Sequence, residues 1–142
     1  MDIKVALEFI VLVYALNFLW EVWHAYYLYT GYRGKSFREY SIPRYLKLIS
    51  WVSFVDTLML SGVFGVAALF FGNLYWFYNM NLEKYLYFFA ATIGIAVWVE
   101  IRGVYLFKNW AYLPAMPKIF GLGLSPLLQL AMTGLAALLI LS

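Results

Sequence analysis

Three carboxylates, the chain's single histidine and several amides and hydroxyls lie in stretches otherwise too apolar for them. Their spacing gathers them onto faces. Asn17, Glu21 and His24 fall at i, i+4 and i+7, one side of a helix. Ser50, Ser53, Asp56 and Thr57 make a second polar stripe, and Ser125, Gln129 and Thr133 a third. Ala96, Glu100 and Gly103 share a fourth face, small residues around a carboxylate, as expected where helices approach closely or leave room for a ligand. Arg102 points about 200° from Glu100 and is expected to reach for lipid headgroups. Glu8 lies opposite the Glu21 face and is expected at an interface.

Carboxylic acids in an apolar setting can do acid–base work. One that stays protonated donates a proton to an alkene or hydrogen-bonds a headgroup, while a second carries the counter-charge or acts as base. Glu21 is the first candidate acid, Asp56 or Glu100 the base, and His24 and Asn17 the orienting groups. The expected catalytic set is therefore Glu21, Asp56, Glu100 and His24, with Asn17, Gln129, Ser53, Trp20, Trp110 and Tyr112 contacting substrate. The substrate would be a membrane lipid or isoprenoid entering sideways, and the reaction an isomerisation or cyclisation.

Other chemistries compete. Glu21-x-x-His24 has the E-x-x-H spacing of di-iron bundles, and Asp56 and Glu100 could add oxygen ligands, but such bundles use two of these motifs and this chain has one histidine. No cofactor is expected; a divalent metal on Glu21, His24, Asp56 and Glu100 is the alternative. Intramembrane carboxylates also mark ion pathways, so a small proton- or cation-coupled transporter or channel is a second function. A chain this short would then act as a homo-oligomer, with Gly62 and Gly65 available for a close contact. In a third function the polar groups are interhelical glue and the protein is a structural membrane subunit. Serine hydrolysis has no Ser–His pair at a recognisable spacing and no nucleophile elbow. Without cysteine there is no thiolate and no disulfide.

Positioning these groups falls to four apolar stretches, about 3–30, 46–71, 82–107 and 121–141, each near the roughly 20 residues that span a bilayer. They lack the alternation of barrel strands, so the fold class is all-α: a single transmembrane domain, 1–142, built as an up-down bundle of four helices in the cell membrane. Composition agrees, with 65% hydrophobic and 12% charged residues against about 25% charged in soluble domains. The net charge of +3 is dispersed, and nucleic acid is excluded as a partner for want of a basic stripe. The first stretch lacks a basic flank and a cleavage site, so it is expected to remain as a helix.

Arg33, Lys35, Arg38, Arg44 and Lys47 crowd the first loop, and Lys108 and Lys118 the third, which predicts both loops inside and both termini outside. Tyr26, Tyr27, Tyr29 and Tyr32, with Tyr75, Trp76 and Tyr78 at the opposite interface, fit aromatic belts. Counted from the inner helix ends, Glu21, His24, Asp56, Glu100 and Gln129 form a layer roughly 9 to 15 Å deep. In the third loop Pro114 and Pro117 forbid a regular helix while Gly121 and Gly123 permit tight paths, so this segment is expected either to fold over the mouth of the layer or to rest at the interface on Trp110 and Tyr112. Glu21 to Tyr26 and Glu100 to Tyr105 share acidic and aromatic positions, a faint echo of two related hairpins.

Asn17-Phe18-Leu19-Trp20-Glu21, Asp56, Glu100, Trp110-Ala111-Tyr112, Met116-Pro117 and Gly123-Leu124-Ser125-Pro126-Leu127-Leu128-Gln129 together resemble an uncharacterised family of small prokaryotic membrane proteins. The resemblance spans nearly the whole chain, implies the four-helix architecture and carries no activity. A weaker likeness, in Trp20-Glu21 and an acidic residue on another helix, is to the larger intramembrane terpene cyclases, and is analogy only.

Overall fold

Each apolar stretch forms a helix. In the computed structural model, which describes residues 3–142, α1 spans Ile3–Leu28, α2 Ile42–Phe70, α3 Leu82–Glu100 and α4 Leu124–Leu141. All four, with α3 counted through Leu106, are long and apolar enough to cross a membrane. Their contacts run in opposite senses along successive helices. Tyr14 meets Ser50 and Tyr45 reaches Val22, pairing α1 with α2; Tyr87 reaches Val63, pairing α2 with α3; Trp20 meets Ser125 and Asn17 meets Thr133, pairing α1 with α4. Helices α3 and α4 also pack together, closing the ring.

Four helix ends differ from those expected, each for a local reason. Helix α1 stops at Leu28 and not at Thr30, because the Thr30 amide donates to the Ala111 carbonyl across the bundle end. Helix α2 begins a turn early, at Ile42, where Pro43 occupies the first turn and sacrifices no helical hydrogen bond. Helix α3 widens after Glu100 into a π-helical segment, Ile101–Leu106. Helix α4 starts at Leu124 and not at Gly121, because the preceding residues belong to a hairpin.

That hairpin is one of two. Strands β1 (Gly31–Tyr32) and β2 (Lys35–Ser36) enclose Arg33-Gly34, while β3 (Lys118–Ile119) and β4 (Leu122–Gly123) enclose Phe120-Gly121. All four turn residues have positive φ, as a two-residue turn of the mirror-image type requires. Both hairpins lie at the same end of the bundle. Between α3 and β3 the chain doubles back along the residues that follow α1: Leu113 donates to the Leu28 carbonyl, Thr30 to Ala111 and Arg33 to Asn109. The third loop is thus clasped across the bundle end by backbone hydrogen bonds.

The interior has two halves. Away from the hairpins it is apolar: Phe9 stacks on Phe64 at 4.5 Å, and Val13, Leu60, Phe77 and Phe88 are buried around them. Toward the hairpins the same inward faces carry Asn17, Glu21, Asp56, Glu100, Gln129 and Thr133, all buried. Helix α1 shows the change in one line, since Val5, Phe9, Val13, Asn17 and Glu21 recur every four residues on its buried side. Glu8 is outside, beside Lys4 at 3.7 Å, and Arg102 turns outward over the rings of Trp98 and Phe107.

Candidate functional site

A cavity of about 100 Å³ lies at the junction of the polar half and the clasped loop. Glu21 and His24 of α1, Asp56 of α2, Glu100 of α3 and Gln129 of α4 all line it, so every helix contributes one of the expected polar groups. The remaining wall is apolar or aromatic.

Glu100 is the most heavily bonded of the carboxylates. Its Oε1 accepts from the Tyr29 hydroxyl at 3.1 Å, and its Oε2 accepts from Trp110 Nε1 at 3.5 Å and from the Tyr112 hydroxyl. Two of the three donors come from the clasped loop, so the loop is fastened to the carboxylate by side chains as well as to residues 28–33 by backbone. The π-helical turn lies directly after Glu100, where the widened backbone sends the Asn109 amide back to the Gly103 carbonyl. Gly103 makes room for the clasp, because a Cβ there would fall 1.9 Å from the Trp110 ring. The space expected beside Glu100 is therefore filled by Trp110 at Gly103 and open to the cavity at Ala96.

Tyr112 lies outside the helices, and burial, followed by its hydrogen bond to Glu100, pushes its phenol well above the usual tyrosine range. It remains a donor at any physiological pH.

Asp56 belongs to a second network. Gln129 Nε2 donates to Asp56 Oδ2 at 3.0 Å and to Asn17 Oδ1 at 3.4 Å, and the Thr133 hydroxyl reaches Asn17 Oδ1 at 2.9 Å. This ties α1, α2 and α4 together. The Asn17 Nδ2 is buried and has no hydrogen-bond partner among the described residues.

Glu21 is held least. Its Oε2 lies 3.9 Å from His24 Nδ1, beyond a hydrogen bond, and that nitrogen is instead 3.3 Å from the Trp20 carbonyl. A carbonyl only accepts, so Nδ1 carries the proton and Nε2 presents its lone pair.

The expected substrate contacts divide. Gln129 and Trp110 line the cavity, and Tyr112 touches it through Glu100. Asn17, Ser53 and Trp20 do not line it: Ser53 donates to its own helix at the Ile49 carbonyl, and Trp20 donates to Ser125 between α1 and α4. The α2 stripe is mostly spent in this way, since Thr57 also bonds back within the helix and Ser50 pairs with Tyr14. Among the described residues no three His, Asp or Glu side chains converge closely enough to hold a metal ion. Tyr29, expected as an interfacial anchor, is a buried donor to Glu100, and Tyr32 and Phe37 of the first loop complete the cavity wall. Nothing in helical spacing marks those three, because they follow the last turn of α1.

One side of the cavity is thinly walled. Helices α2 and α3 are the loosest neighbouring pair. Their hydrogen bond and ring contacts gather around Tyr87, with Val63, Phe70 and Phe71, in the apolar half. Leu48 and Val52 of α2 and Ala96 and Val99 of α3 are the apolar residues these two helices bring to the cavity, with Ile49.

No family model, curated protein or solved structure matches this chain. The resemblance to a family of small prokaryotic membrane proteins rests on the sequence motifs alone.

Proposed function

We propose that this protein is an integral membrane bundle, with the two hairpin loops on the cytoplasmic side, that binds a lipid-soluble molecule by its polar end and holds that end among Glu21, Asp56 and Glu100. The observation that carries this is the cavity itself: polar groups from all four helices meet in one partly open space whose other walls are apolar or aromatic. A buried carboxylate is costly, and three converging on a space instead of on cations are better explained by a ligand than by packing. At about 100 Å³ the space is smaller than the roughly 300 Å³ or more of a whole-molecule site. It suits the polar end and first carbons of a chain that leaves between α2 and α3, isoprenoid tails included.

Conversion of the ligand belongs to the same proposal. Glu21, with the fewest hydrogen bonds, is the group free to exchange a proton with it, and Asp56, which lines the same cavity, is the base. Transport is less well supported, because beyond the polar half the interior is filled by buried apolar residues, Val13, Leu60, Phe9 and Phe64 among them. Native mass spectrometry of protein released gently from its own membrane is the test. A specific hydrophobic mass should accompany the wild-type chain and be lost in Glu21→Gln and in Asp56→Asn; its survival in both variants would sink the assignment.

A further inference from the structure

The cavity's hydrogen-bond inventory is one-sided. Most of its donors are already engaged: Tyr29 and Trp110 on Glu100, the Gln129 amide on Asp56 and Asn17, and His24 Nδ1 on the Trp20 carbonyl, while the Tyr32 hydroxyl makes no hydrogen bond among the described residues. Its acceptors, Glu100 apart, are less engaged among the described residues. His24 Nε2 has no hydrogen bond, Asp56 has one on Oδ2, and Glu21 has only His24 Nδ1 at 3.9 Å and a share of the Gln129 amide. Among the described residues no lysine or arginine lines the space. A ligand whose polar end only accepts would find just the Tyr32 hydroxyl and whichever carboxyl is protonated, and an anionic end would meet three acids without a compensating cation.

Aromatic rings supply the rest of the polar end's surroundings. Tyr29, Tyr32, Phe37 and Trp110 line the loop side of the cavity, with Trp110 stacked on Tyr32 at 6.5 Å between centroids and edge-on to Tyr29 at 6.3 Å. Ring faces beside carboxylates favour a cation.

Resting on the lipid-binding proposal above, we infer that the polar end of the ligand is an N–H-bearing cation, an alkylammonium group, seated between Glu21, His24 Nε2 and Asp56 with its chain directed between α2 and α3. The ammonium supplies both what the cavity lacks, positive charge, and what it can accept, hydrogen-bond donors. A neutral alcohol offers one donor and no charge, and an ionised carboxylate or phosphate brings negative charge where the cavity already has acids.

The test is a competition read by native mass spectrometry, with the detergent-solubilised full chain given decylamine, decyltrimethylammonium, decanol and decanoate at equal concentration. Decylamine should be retained about tenfold or more over the other three, the margin of a charge-assisted hydrogen bond. Glu21→Gln should cut decylamine retention about tenfold and leave decanol unchanged. Ala96→Trp or, should that variant fail to fold by circular dichroism, Val52→Trp should fill the cavity and abolish retention. Decanol or decanoate bound as well as decylamine would overturn the cationic end while leaving lipid binding intact. Decyltrimethylammonium bound equally well would overturn the requirement for N–H. Retention of none of the four would bring down the lipid-binding proposal and this inference together.

Discussion

Glu100 accepts from three donors, two delivered by the loop after α3, whereas Glu21 has one distant histidine and part of an amide. The same chemical group is therefore a fastening at one position and an open site at the other. Glu100→Gln leaves an amide that can accept at only one atom, so at least one buried donor loses its partner; stability should fall by about 1 to 3 kcal/mol in denaturant unfolding. Glu21→Gln should change stability by less than half as much, and the ratio of the two is the measurement. These carboxylates and Gln129 are legible from the sequence because helical period and the cost of charge in an apolar stretch both single them out. The partition between them is not legible, since it depends on Tyr29, 71 residues from Glu100, and on a ring lodged against Gly103.

Among the elements, the helices follow from apolar length, and the misjudged ends of α1 and α4 are places where a tertiary contact or hairpin competes with the helix. Pro114 and Pro117 forecast an irregular third loop, but the clasp is made by main-chain amides and carbonyls, which carry no residue signature. Tyr112 makes that clasp testable by pH. Its phenol is raised in the folded protein by burial and by Glu100, so its contribution is complete below the unfolded tyrosine value near 10.0 and is lost as pH climbs through the folded value above it. Wild-type protein should lose thermal stability in that alkaline window, and Tyr112→Phe should begin less stable and lose less across it. Parallel curves for the two proteins would detach Tyr112 from the loop's closure.

For the molecule as a whole, the charge of the loops sets the proposed orientation, and the absence of cysteine makes it easy to check. In right-side-out vesicles, Lys84→Cys should react with a membrane-impermeant maleimide and Arg33→Cys should react only after the membrane is opened. The reverse pattern would invert the bundle. The polar face of α1 has a further consequence, in the order of synthesis. Asn17 finds its hydrogen-bond partners at Gln129 and Thr133, on the helix made last, and the end of α1 is clasped by residues 109–113. If the chain enters a membrane as proposed, an amide and a carboxylate must wait there through three more helices before they are satisfied. Retention of α1 in the bilayer during that interval falls to its apolar first half, so a polar substitution at Phe9 or Val13 should be felt at insertion, before any fold exists to be destabilised.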